Sequence, residues 1–139
     1  MYEGDGTSEV VPPRHKRFHY HGDEVRVLFV VAAVVLVVAE STNTPLPISP
    51  VLAVTLAMIL IIAAGITNPA QRSIHWLNAL LSAAGTLLFG TTAVGYYRGG
   101  ASLLTRSFTF TEALALLSLV ALYFTTRTIR GILQREDKN

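Results

Sequence analysis

Four stretches of this sequence carry no Lys, Arg, Asp or Glu: those between Arg26 and Glu40, between Glu40 and Arg72, between Arg72 and Arg98, and between Glu112 and Arg127. A water-facing surface needs charge spread along the whole chain, and a soluble domain carries about 25% charged residues. Here 14% of residues are charged and 51% are hydrophobic. A helix crossing the hydrocarbon core of a bilayer needs about 20 mostly apolar residues, and four such windows fit. The sequence therefore predicts an all-α integral membrane protein, a four-transmembrane-helix bundle with spans at 23–41, 51–67, 74–97 and 111–129.

The centre of the first span, VLFVVAAVVLVVA, is rich in β-branched residues that favour strands in water. In lipid a lone strand leaves its backbone groups unpaired, so the helix wins. No window alternates polar and apolar residues over about ten positions, which argues against a membrane barrel. Val37-Val38-Ala39 has the small residues of a signal-cleavage site. The polar region ahead of the apolar run is long for a signal peptide, so the segment is read as a span.

Polar segments bracket the 23–130 membrane domain: a basic tail over 1–22 and a charged tail over 131–139. The three prolines of STNTPLPISP make residues 41–50 an extended turn, with Pro50 suited to the first turn of the second helix. Asn68-Pro69-Ala70-Gln71 has the pattern of a helix start, and Gly99-Gly100 marks the end of the third helix. Of the 11 basic residues, Arg14, Lys16, Arg17, Arg26, Arg72, Arg127, Arg130, Arg135 and Lys138 fall on one side of the fourfold crossing, and Arg98 and Arg106 on the other. The positive-inside rule then places both termini in the cytoplasm, in an inner or plasma membrane. The basicity reads as topology and lipid contact rather than nucleic-acid binding. With no cysteine, disulfides and thiolate chemistry are excluded.

Candidate functional residues are few. At 100° per residue, Asn78, Ser82, Gly85, Phe89, Thr92 and Tyr96 share one face of the third helix, with Thr86 at its edge. Such a face either packs on another helix or lines a polar route. It holds no ionisable group, so packing is the reading. Glu112 is the acid nearest the membrane interior, a candidate ion or gate residue. Thr109-Phe110-Thr111-Glu112 also matches a capping box, so Glu112 is expected either to cap the first turn of the fourth helix or to pair with Arg98 or Arg106. Arg14, Lys16, Arg17 and Arg26 are expected to contact lipid head groups, Arg26 by snorkelling. His15, His19 and His21 lie among cations that oppose metal binding, so no metal is expected. His75 is expected to be solvated at the interface, and Glu40 to stay wet. Trp76, Tyr123 and Phe124 on one side, and Tyr96, Tyr97, Phe108 and Phe110 on the other, resemble aromatic belts.

The third helix, with its full polar and small stripe, is expected at the bundle centre, and the first helix facing lipid. No nucleophile–base pair, phosphate loop or nucleotide fingerprint occurs, so neither enzyme activity nor a cofactor is expected. These features point to a structural or accessory membrane protein acting through helix–helix and lipid contacts, as a homo-oligomer or in a larger membrane-protein complex. The alternative is a small oligomeric transporter or channel using the polar face of the third helix.

Overall fold

The computed structural model describes residues 22–67 and 72–136, which form four helices and no strand: α1 (Gly22–Ser41), α2 (Pro50–Ile66), α3 (Arg72–Arg98) and α4 (Arg106–Glu136). The basic tail residues Arg14, Lys16 and Arg17, the three tail histidines and the Asn68–Gln71 motif lie outside the described residues.

Local chemistry sets the helix ends. α1 stops in a left-handed residue, Asn43 (φ 51°). Beside it Asn43 N–H bonds the Glu40 carbonyl at 3.0 Å and Thr44 N–H bonds that of Ala39 at 2.9 Å. This nested pair satisfies carbonyls that the last turn leaves open. α3 ends the same way on Gly100 (φ 77°), with bonds from Gly100 to Tyr97 and from Ala101 to Tyr96. α2 begins with Ser49, whose hydroxyl accepts the Leu52 N–H at 3.3 Å, followed by Pro50 at a position where its missing N–H costs nothing.

α4 begins at Arg106 rather than at the expected 111. Thr109 N–H already bonds the Thr105 carbonyl at 2.9 Å. The 106–110 run has neither Pro nor Gly to stop a helix from extending upstream, so the Thr109–Glu112 pattern has no helix end to cap.

α1 packs against both α2 and α4, and α4 packs against both α1 and α3, whereas α2 meets α3 at few places. The expectation of a central α3 is thus corrected: α1 and α4 form the middle. One face of α1, made of Val25, Phe29, Ala32, Ala33, Leu36 and Ala39, is buried, while Val27, Val30, Val31, Val34, Val37 and Val38 point outward. Hydropathy could not separate these two faces, because both are apolar. Contact with α2 and α4 separates them.

In α2 the two faces differ in size: Ala53, Ala57, Ala63 and Ala64 are buried along with Leu60, and Val51, Val54, Met58, Ile59, Ile61 and Ile62 are exposed. Ten of the eighteen buried apolar residues are alanine, and most large aliphatic side chains face outward. Water would drive the large side chains inward; close approach of backbones favours the small ones there.

Among the described residues, two helical segments, Ser73–Arg98 and Arg106–Gln134, are long and apolar enough to cross a membrane by length and composition. α2 is equally apolar but has 17 residues, about 25 Å at the helical rise. α1 carries Asp23, Glu24 and Arg26 near its start and Glu40 near its end.

Candidate functional site: the polar seam of α3 and α4

α3 and α4, joined by residues 99–105, run antiparallel and touch closely at Gly85. A Cβ built there would lie 2.5 Å from Ser118 Oγ and 3.1 Å from Ser118 Cβ. Glycine at this position is what lets the two backbones approach. The contact also fixes the register. Seven residues, two turns, from Gly85 toward the start of α3 lies Asn78, and seven from Ser118 toward the end of α4 lies Thr125. Two turns the other way lie Thr92 and Thr111. Counted from the Gly85–Ser118 contact, the antiparallel register sets Asn78 level with Thr125 and Thr92 level with Thr111. Ser82 and Phe89 on α3, and Leu114, Ala115 and Ala121 on α4, are the buried residues between these levels. A seven-residue repeat of this kind is the spacing of left-handed helix packing.

Hydroxyls along the seam bond mainly to their own helix. Ser82 Oγ donates to the Asn78 carbonyl and Thr86 Oγ1 to that of Ser82, each at 2.7 Å. Thr92 Oγ1 donates to Leu88 at 2.8 Å and Thr125 Oγ1 to Ala121 at 2.5 Å. Bonded back in this way, Ser and Thr act as small, nearly apolar spacers.

Two groups depart from that pattern. Asn78, 1% exposed, donates from Nδ2 to Thr67 Oγ1 at 3.2 Å, and Thr67 in turn donates to the Ala63 carbonyl at 2.6 Å. Thr67 is the C-cap of α2, so this relay ties the end of α2 to α3 where the two helices otherwise hardly meet. Among the described residues, buried Asn78 Oδ1 has no hydrogen-bond partner. Thr111 Oγ1, in a residue with 0% exposure, also has none.

Asn78→Ala is expected to cost about 1 kcal/mol, the scale of an interhelical polar contact in lipid. Thr67→Val should cost a similar amount, and the double variant little more than either, as equilibrium unfolding in mild detergent would read. Thr111→Val is expected to be neutral or stabilising by up to about 1 kcal/mol, since it replaces an unbonded buried hydroxyl by an isosteric methyl. A loss above that from Thr111→Val in the same assay would assign the hydroxyl a partner.

The remaining sequence candidates fall elsewhere. Glu112 is half-buried in the second turn of α4, and among the described residues it forms no ion pair with Arg98 or Arg106. His75 is 3% exposed and packed rather than solvated, because α3 begins at Arg72 and has turned this position inward. Arg26 Nε donates to the Ala64 carbonyl at 2.9 Å, closing an open carbonyl of the last turn of α2. Its Nη1 lies 3.7 Å from Asp23 Oδ1. Glu40 is half-buried beside the α1–α2 turn. Ser118, Thr125 and Thr67 escaped the sequence reading. The seven-residue spacing of Thr111, Ser118 and Thr125 was the available signal, masked by the leucines around it.

Comparison with family models, with curated proteins and with solved structures finds no match to this chain.

Proposed function

We propose that the protein is a structural or accessory membrane component, with all four helices in the bilayer and both termini on the cytoplasmic side. The single observation carrying this reading is the outer surface: alanine is the commonest buried apolar residue, while most valine, isoleucine and leucine side chains face outward. Such an outer surface is stable in lipid, whereas soluble monomers rarely expose contiguous apolar patches beyond a few hundred Å². α2 spans the core by local thinning of the bilayer, a modest cost, and the first-turn charges of α1 sit at the water boundary.

The arrangement of the α3 face supports a packing role over transport. Gly85 sits against Ser118 of the same chain, and most of the hydroxyls along the seam are bonded to their own backbone. Association with a second membrane protein then uses the aliphatic outer faces.

Because the chain has no cysteine, single-cysteine variants need no background removal. Asn43→Cys and Ser102→Cys are expected to label from one side of sealed vesicles, and Ser8→Cys and Asn139→Cys from the other. Reconstituted wild-type protein is expected to give no ion or solute flux in liposomes. Flux abolished by both Asn78→Leu and Glu112→Gln would replace this reading with the transporter one.

A further inference from the structure

An open groove of about 380 Å³ runs between α1 and α2, lined by Val27, Val30, Val31, Ile61, Ala64 and Gly65 and headed by Arg26. Gly65 keeps it open beside the guanidinium, for a Cβ there would meet nothing within 4 Å. Below that level every lining side chain is aliphatic. At its head the charges come as a pair: Arg26, 45% exposed, with Asp23, 78% exposed, 3.7 Å away. A guanidinium has five N–H donors, and the Ala64 carbonyl takes one of them, on Nε.

We propose that this groove holds one phospholipid with a primary-amine head group, its phosphate on Arg26, its ammonium on Asp23 and an acyl chain along Val30 and Ile61. The reading rests on the proposed membrane location, since it requires α1 and α2 to stand in lipid. Charge complementarity selects the head group. A purely anionic head would meet the Asp23 carboxylate as well as Arg26. A zwitterion satisfies both, and only an ammonium bearing N–H can give the carboxylate a charge-assisted hydrogen bond. A trimethylated head carries the same charges but cannot donate.

The test is native mass spectrometry of the full chain after equilibration in bilayers of equal parts phosphatidylethanolamine, phosphatidylcholine and phosphatidylglycerol. One phosphatidylethanolamine is expected to be retained several-fold over either competitor. Gly65→Leu, whose Cβ enters open space and whose remaining carbons occupy the groove, is expected to abolish that retention while helicity by circular dichroism stays unchanged. Asp23→Asn is expected to erase the preference over phosphatidylcholine. Equal retention of the amine and trimethylated lipids, preference for phosphatidylglycerol, or retention unaffected by Gly65→Leu would each overturn the proposal while leaving the membrane reading intact. A chain that retains no lipid and stays in solution without detergent would overturn both.

Discussion

Gly85→Leu is expected to be among the most destabilising single changes in the protein, costing about 3 kcal/mol, the upper end of the usual range for overpacking a tight contact. The reason is local. Ser118 already lies where the first atom of any side chain at 85 would go, and Phe89, Leu114 and Ala121 are buried close by, so the seam cannot absorb the volume. Equilibrium unfolding in bicelles should show the loss. Gly90→Leu is the control: it sits on the same helix, its Cβ position is open, and helix propensity should make it neutral or stabilising by up to about 1 kcal/mol. Gly85→Ala gives a finer version. Helix propensity alone favours alanine by about 1 kcal/mol, so any net loss reports the seam, and Ser118→Gly in the same chain should reverse it. Equal behaviour at Gly85 and Gly90 would mean that α3 and α4 do not meet there.

Met58→Asp carries the second large effect. Met58 is 60% exposed at the midpoint of α2. On a helix facing water an added aspartate there would change stability by no more than about 0.5 kcal/mol. At the centre of a membrane helix the same residue costs about 2.5–3.5 kcal/mol, roughly a hundredfold in the insertion equilibrium. A cotranslational insertion assay with glycosylation acceptors at both ends of α2 is expected to show crossing in the wild type and its collapse in the variant. Unchanged insertion or folding would take α2 out of the bilayer.

Much of the helical order was legible in the residues because caps are local. Pro50 and the Gly99-Gly100 pair placed ends to within a residue or two, since a missing N–H or a left-handed turn acts without reference to the rest of the fold. α4 was less legible. Its expected bounds of 111–129 followed the thickness of a bilayer, but a helix does not stop where lipid stops, and it runs from Arg106 to Glu136. The centre of the bundle was not legible from hydropathy, which ranks Val34 with Ala33 although one is outside and the other inside. The polar face of α3 could be read from its period. What it packs against could not, because the partner positions on α4 are spaced two turns apart among leucines. The Arg26 bond to Ala64 crosses 38 residues of sequence, and no short pattern encodes such a contact.

The near absence of contact between α2 and α3 bears on the order in which the molecule assembles. Each of the pairs α1–α2 and α3–α4 is a hairpin closed by fewer than ten residues, whereas α1 and α4 meet across most of the chain. Local closure comes early and distant closure late. During synthesis the first hairpin can therefore form before α3 leaves the ribosome, and docking of the second against α1 is the last step. A fault confined to the α1–α4 boundary would then strand two intact hairpins side by side, helical but unjoined.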